Sequence, residues 1–147
     1  MSLRSRSRSD YRHFQAIPTR WMDNDIYGHV NNVHYYSYFD TAVNQFLIER
    51  GVLDIQRGNV VGFVVETACS YFSPIAFPDL VQAGIRVERI GNSSVRYGIG
   101  LFRNGEARVS AAGSFTHVYV DRSTGKSVPV PPAVRAVLAA LSVTGVG

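Results

Sequence analysis

The sequence lacks the features that would place it outside the ordinary globular proteins. Its 147 residues include a single cysteine, Cys69, which excludes an intrachain disulfide framework and is typical of a reducing compartment. No apolar run approaches the roughly 18 residues that a membrane-spanning helix needs. The arginine-rich start has no apolar segment behind it, so it does not resemble a secretory signal. We therefore expect a cytoplasmic protein without membrane insertion.

Little net positive charge lies outside the first twelve residues. The formal net charge is +4, and residues 1–12 carry +3 of it. The remainder is nearly neutral, which argues against a nucleic-acid-binding surface. Residues 1–12 show no apolar periodicity, so the sequence predicts a flexible, dispensable basic tail followed by one domain over residues 13–142.

Metal and nucleotide cofactors are not predicted either. His29 and His34 are five residues apart, which does not place both on one helix face, and Cys69 has no second cysteine for a zinc site. Gly98 and Gly100 have no third glycine and precede no helix, so they do not form a dinucleotide fingerprint. The sequence therefore predicts no metal and no cofactor.

Hydrophobic periodicity predicts one long helix and several antiparallel strands. Apolar and aromatic residues recur at helical spacing before Gly51, and later stretches alternate with a period of two. Asn104-Gly105 is a strong signal for a type I′ hairpin turn. The predicted order is a strand over 11–20, a helix over 32–50, strands over 59–72, 81–88, 95–101 and 107–120, and a helix over 131–141.

The most unusual residues lie just before the long helix. Asp23, Asp25 and His29 place two carboxylates and an imidazole there, and Asn31 or Asn32 is suited to cap the helix. A helix N-terminus offers free N–H groups to a developing oxyanion, and a nearby carboxylate can activate water or attack a carbonyl. A plain capped turn has the same composition, so the residues alone leave both interpretations open.

The run Asp-x-Asp-x-x-Gly-His-Val-Asn-Asn over 23–32, followed by Tyr35, resembles the signature of the hot-dog-fold thioesterases related to 4-hydroxybenzoyl-CoA thioesterase. Part of it is also similar to acyl-carrier-protein thioesterases. The resemblance implies an α+β fold: a single hot-dog domain whose antiparallel sheet wraps around one long central helix. It implies hydrolysis of an acyl-CoA or acyl-carrier-protein thioester without a metal or redox cofactor.

The resemblance also implies catalytic roles. The second Asp of the motif is catalytic in the hydroxybenzoyl-type enzymes, which assigns Asp25, as nucleophile or as general base. The backbone N–H near Asn32 is placed against the thioester carbonyl, and His29 matches a histidine of the carrier-protein enzymes. Those enzymes have Asn where this chain has Tyr27, so a carboxylate-centred mechanism is favoured. Asp23 is expected to shape the turn.

Substrate contacts follow from the same resemblance. Gly28 allows close approach of the backbone, and Tyr35 lies in the helix that would form the floor of the site. Family members bind CoA near the turn between the middle strands, which implies substrate contacts here for Arg89, Asn92, Ser93 and Ser94. A solvated polar turn explains that segment equally well.

Two further expectations concern assembly and alternative functions. One helix against a sheet leaves edge strands and apolar surface uncovered, so we expect a homodimer or a dimer of dimers with the site at the subunit boundary. A non-catalytic acyl-CoA-binding regulator and an enoyl-thioester hydratase are the alternatives on this fold. The hydratase signature has Asn-Pro between an Asp and a His five residues apart, and Asp25 and His29 are four apart without it.

Overall fold

One long helix lies against a five-stranded antiparallel sheet, which confirms the α+β class predicted from the sequence. The structure is a computed structural model and describes residues 2–54 and 57–143. The strand order across the sheet is β1-β3-β4-β5-β2. The elements are β1 (His13–Pro18), α1 (Val33–Glu49), β2 (Val60–Tyr71), β3 (Leu80–Ile90), β4 (Ser94–Arg103), β5 (Ala111–Asp121) and α2 (Pro132–Ala139).

The main core lies between α1 and the inner face of the sheet. Phe39, Ala42 and Val43 on α1 have no exposed surface, and neither do Ile85 of β3 and Ile99 of β4 opposite them. Side chains alternate between the two faces of a strand, so each strand gives every second residue to this core. The helix is thus fixed along the sheet, and the loop before α1 is held at one end of it.

The turn between β4 and β5 differs from the tight hairpin predicted at Asn104-Gly105. Asn104 has a φ of 54°, but Gly105 is not among the residues with positive φ, as a type I′ turn would require. The register pairs Leu101 with Ala111, so a long connection separates the two strands. The Ser110 N–H still donates to the Leu101 carbonyl at 2.7 Å, but the Val109 N–H donates to the Arg6 carbonyl in the N-terminal segment.

The N-terminal segment, residues 2–12, lies on the outer face of the sheet. The Arg4 guanidinium is 4.9 Å from the centroid of the Phe72 ring, and that of Arg8 is 4.8 Å from the Phe102 ring. The Arg8 Nε donates a hydrogen bond of 2.9 Å to the Glu106 carbonyl. The arginines that the sequence predicts to be solvated therefore cover aromatic rings.

Two glycines make room for this packing. Gly84 and Gly100 face each other on β3 and β4, and the Tyr11 ring lies over both. A Cβ at Gly100 would lie 2.5 Å from the Tyr11 Cζ, and one at Gly84 would lie 2.8 Å from its Cγ. Tyr11 is 5% exposed and packs edge-on against Phe102. This outer cluster therefore depends on having no side chain at either glycine.

Deleting residues 1–10 is expected to lower the free energy of unfolding by about 2–3 kcal/mol. The deletion removes the cation–π contacts of Arg4, Arg6 and Arg8, the Arg8 hydrogen bonds and the cover over Phe72 and Phe102. Urea unfolding of the full and shortened chains measures the change. An Arg4→Gln, Arg8→Gln variant keeps the length and should show about half of the loss. An unchanged midpoint in the shortened chain would mean that the segment does not hold the sheet.

Candidate active site

The loop before α1 forms a tight turn that presents the Asp25 carboxylate. Its Oδ1 accepts the Tyr27 N–H at 2.8 Å, and its Oδ2 accepts the Asn31 side-chain amide at 3.1 Å. The Gly28 N–H closes the turn on the Asp25 carbonyl at 3.0 Å. Gly28 has a φ of 81°, a conformation that glycine adopts without strain. Asp25 is therefore fixed by donors on both oxygens while remaining half-exposed.

Asn31 links Asp25 to the start of the helix. While its amide holds Asp25, its Oδ1 accepts the Val33 N–H at 3.1 Å, so Asn31, and not the Asn32 side chain, satisfies a free donor of α1. The backbone N–H of Asn32 donates to no acceptor within residues 2–54 and 57–143. The sequence suggests only a helix-capping role for Asn31. Nothing in the motif predicts that its side chain also contacts Asp25.

Asp23 has a different environment. It is 1% exposed, and its carboxylate accepts the Arg20 N–H and Nε and the Tyr38 hydroxyl, each at 2.9 Å. Burial raises the pKa of this carboxyl, but the hydrogen bonds from Arg20 and Tyr38 outweigh it and leave the pKa below its ordinary value. His34 Nδ1 lies 3.8 Å from the same carboxylate. Asp23 thus ties the loop to α1.

An Asp23→Asn substitution is expected to destabilise the fold by about 2–3 kcal/mol, since the new amide sets donors against the Arg20 donors. Urea unfolding at neutral pH measures this loss. The folded pKa lies below the unfolded value near 3.8, so the stabilisation is present above that pH and is lost as pH falls through the folded pKa. The wild-type protein should show this slope, and the variant should lack its Asp23 contribution. Equal stabilities would contradict a structural role.

The Asp25 carboxylate lines an open cleft with apolar walls. Trp21, Met22, Ile26 and Gly28 line it with Asp25, and its volume is about 560 Å³. Ile26 is 93% exposed and Trp21 is 77% exposed, which is unusual for large apolar side chains. The cleft therefore offers an apolar surface beside a fixed carboxylate. This arrangement suits attack on the carbonyl of a largely apolar substrate.

The structure does not bring every predicted side chain to this cleft. His29 is exposed, and its carbonyl accepts the Asp25 N–H at 3.0 Å. Tyr35 is 4% exposed, and its ring packs edge-on against Tyr71 at 4.9 Å. Burial raises the Tyr35 pKa to about 12 and the Cys69 pKa to about 11, so both groups stay protonated at neutral pH. Neither is a candidate nucleophile.

Comparison with known proteins identifies the family. A model of the thioesterase-like superfamily matches residues 19–138. The chain belongs to this superfamily. The matched range contains the Asp25 turn, all of α1 and the strands β2 to β5. Membership supports thioester hydrolysis as the general class of reaction.

Solved structures related to this thioesterase-like chain share its fold. The PA5185 protein of Pseudomonas aeruginosa strain PAO1 is 57% identical, with a TM-score of 0.90 over 92% of this chain and 95% of that one. The PA2801 protein of the same species is 29% identical, with a TM-score of 0.79 over 86% and 97%. DHNA-CoA thioesterase from Staphylococcus aureus is 18% identical, with a TM-score of 0.76 over 86% and 87%, which shows the fold alone. These similarities confirm the hot-dog fold.

The turn predicted to bind CoA lies far from Asp25 within one chain. Asn24 accepts the Phe77 N–H at 3.0 Å, which holds the Asp25 loop near the beginning of β3. Arg89 lies near the end of β3, and eleven residues of strand span roughly 35 Å. Asn92 and Ser93 lie in the following turn, and Ser94 begins β4. In one thioesterase-like chain, the predicted CoA contacts and Asp25 therefore lie at opposite ends of β3.

That turn is held by a residue which the sequence analysis missed. The Arg135 guanidinium on α2 donates to the Gly91 carbonyl at 2.7 Å. Backbone carbonyls of the turn also accept hydrogen bonds, Asn92 from Val130 and Ser93 from Tyr119, both at 2.8 Å. Arg135 is more than 40 residues away in the sequence, and no local pattern relates it to this turn.

The described residues contain neither a metal-binding cluster nor a helix that could span a membrane. Within residues 2–54 and 57–143, no group of three or more His, Cys, Asp or Glu residues is arranged to hold a metal ion. No helix in the same ranges is long and apolar enough to cross a membrane.

Proposed function

We propose that the protein hydrolyses an acyl-CoA or acyl-carrier-protein thioester, with Asp25 as the catalytic carboxylate and the start of α1 as the oxyanion site. The observation that carries the proposal is the Asn31 bridge. Its amide holds Asp25 Oδ2 at 3.1 Å, and its Oδ1 takes the Val33 N–H. The neighbouring Asn32 N–H has no partner in the described ranges. A carboxylate and a free helix N–H therefore stand at fixed positions on either side of one side chain.

The reaction follows from these two groups. As general base, Asp25 takes a proton from water, and the oxygen of that water bonds to the thioester carbonyl carbon. The carbonyl oxygen gains negative charge, which the Asn32 N–H and the positive end of α1 stabilise. The C–S bond then breaks, and the leaving thiolate takes the proton that Asp25 holds, giving the free thiol and the carboxylic acid. As nucleophile, Asp25 would form a mixed anhydride that water then hydrolyses.

We further propose that the complete site forms in a homodimer. β2 is an edge strand whose outer side pairs with no other strand among the described residues, and Phe63, Val64 and Val65 on it are exposed. Antiparallel pairing of two β2 edges reverses strand direction across the two-fold axis. The turn after Arg89 of one subunit would then lie at the same end of the joined sheet as the partner's Asp25 loop. This would bring the two halves of the predicted site to the same end of one continuous sheet.

An acyl-CoA panel tests the proposed reaction. The purified protein is incubated with short, long and aromatic acyl-CoAs, and release of free thiol is measured. Hydrolysis of at least one class above the uncatalysed rate, and its absence in Asp25→Asn, is the expected result. Acyl-CoA binding without turnover would favour the non-catalytic regulator, and hydration of an enoyl-CoA would favour the hydratase.

A cytoplasmic location remains a prediction from the sequence.

A further inference from the structure

The Asp25 turn is attached at both of its ends to the loop between β2 and β3. Asn24 and Val30 lie opposite each other across the turn, where they form an isolated antiparallel bridge. The Asn24 Oδ1 accepts the Phe77 N–H at 3.0 Å, and the Val30 N–H donates to the Ile75 carbonyl at 2.7 Å. The position of Asp25 relative to the sheet is therefore set through this loop.

The loop between β2 and β3 is held from two sides. Ile75 has no exposed surface and packs in the main core. On the other side, Asp79 accepts the Ala76 N–H on Oδ2 at 2.9 Å and the Asn104 side-chain amide on Oδ1 at 3.1 Å. The Asn104 Oδ1 accepts the Leu80 N–H at 2.9 Å. The loop is thus a fixed support, and the pair of Asp79 and Asn104 links it to the residues after β4.

Only one of the two attachments of the turn depends on a side chain. The hydrogen bond between Val30 and Ile75 joins backbone atoms, so side-chain substitutions leave it in place. The hydrogen bond from Phe77 to Asn24 ends on a side-chain oxygen and lies at the surface. An exposed hydrogen bond contributes little net stability, because water replaces the lost partner. Removing the Asn24 oxygen should therefore release one end of the turn without unfolding the protein.

The release of one end matters because Asp25 has to act from a defined position. In the proposed reaction, its carboxylate activates water toward a carbonyl carbon whose oxygen lies on the Asn32 N–H. The Asn31 amide fixes Asp25 to α1 at 3.1 Å, and Asn24 fixes the same turn to the loop before β3. A shift of about 1 Å between reacting groups can lower a rate by roughly 10²-fold. Both links are therefore expected to contribute to the rate.

We propose that Asn24 is a positioning residue for Asp25, and that the pair of Asp79 and Asn104 supports it through the Phe77 N–H. All three side chains act by holding the Asp25 carboxylate against the start of α1. Their effect on rate rests on the proposed thioester hydrolysis, whereas their effect on the geometry of the Asp25 turn does not. The two effects are therefore measured separately.

Amide NMR of the turn measures its geometry without turnover. The Tyr27 N–H donates to Asp25 Oδ1 at 2.8 Å, so its signal reports on the carboxylate. In Asn24→Ala this signal should shift, and the amide should exchange with solvent about tenfold faster, as a weakened hydrogen bond implies. Thr124→Ala is the matched control, because it removes an exposed side-chain acceptor of the Lys126 N–H from a distant turn. An unchanged Tyr27 amide in Asn24→Ala would overturn the proposal, even if the protein hydrolyses no thioester.

Kinetics measure the effect on the reaction. Asn24→Ala should lower kcat about tenfold and leave KM for acyl-CoA nearly unchanged, and Asn24→Asp, which keeps the acceptor oxygen, should recover most of the rate. In the Asp25→Asn background, Asn24→Ala should cause no further loss, because residues that act through one group are not additive. An equal loss with and without the Asp25 carboxylate would contradict the proposal, as would a lower stability with an unchanged kcat.

The exchanged pair Asp79→Asn, Asn104→Asp tests the support. Asp79→Asn alone sets an amide against the Asn104 amide and should move the Tyr27 signal as Asn24→Ala does. With Asn104→Asp added, the amide at 79 donates to a carboxylate at 104 that still accepts the Leu80 N–H, so the signal and kcat should return toward the wild type. A Tyr27 signal that Asp79→Asn leaves in place, or that the exchanged pair does not restore, would overturn the role of Asp79 and Asn104.

Discussion

Asp25→Asn is expected to lower kcat for thioester hydrolysis by about 10²-fold or more, with little change in the affinity for acyl-CoA. The asparagine keeps the size of the side chain and an oxygen for the Tyr27 N–H, but it cannot take a proton from water or attack the carbonyl. The proposed oxyanion donor, the Asn32 N–H, is left in place. The substitution therefore removes the chemistry and leaves the binding surface. Steady-state and single-turnover kinetics separate the two effects.

Two matched variants control for this result. His29→Ala should lower kcat less, because its exposed side chain is not among the groups that fix the Asp25 carboxylate. Asp23→Asn should lower stability, so its activity is measured well below its unfolding midpoint. A fully active Asp25→Asn enzyme alongside an inactive, folded Asp23→Asn enzyme would reverse the two roles.

Local patterns predicted the elements that depend on local chemistry. The helix expected over 32–50 is observed over Val33–Glu49, because aromatic spacing defines its buried stripe and Gly51, with a φ of 73°, ends it. The long edge strand and the two middle strands also lie where alternation placed them. In these segments burial agrees with periodicity, so tertiary contacts do not override the local signal.

Contacts between segments that are far apart in the chain could not be predicted from the sequence. The N-terminal arginines have no apolar periodicity, and their partners, Phe72 and Phe102, are far along the chain. The Val109 N–H, expected in a strand, donates to the Arg6 carbonyl of the same N-terminal segment, and the hairpin expected at Asn104-Gly105 is a longer connection. Gly84 and Gly100 leave space for the Tyr11 ring, but from the sequence alone a glycine within a strand is expected only to weaken it.

The candidate site also has a part that local sequence predicts and a part that it does not. Asp25, Gly28 and Asn32 lie within eight residues, so a local motif could identify them together. The Asn31 bridge uses orientations that the motif does not specify. Tyr35 lies in the motif but is buried against Tyr71, because its position on the helix points it to the core.

The proposed dimer leads to a second prediction, a large loss of self-association and of hydrolysis. A Val64→Lys, Val65→Lys variant should weaken self-association more than 100-fold and lower thioester hydrolysis by a similar factor. Both valines are exposed in one chain, at 38% and 54%, so the lysines cost the monomer little. Across a two-fold β2 pairing they would meet the partner's lysines, and like charges facing each other in an interface cost several kcal/mol. Sedimentation at several concentrations measures the association.

Ala136→Lys is the control for added charge, because Ala136 is exposed on α2, whose main contact with the sheet is with β3. It should leave association and turnover unchanged. A Val64→Lys, Val65→Lys protein that sediments as a monomer and still hydrolyses acyl-CoA at the wild-type rate would mean that one chain holds the whole site. The CoA would then have to bind near Asp25 without the Arg89–Ser94 turn, since β3 separates the two by its full length. A wild-type chain that is itself monomeric at all concentrations would contradict the pairing of β2 edges directly.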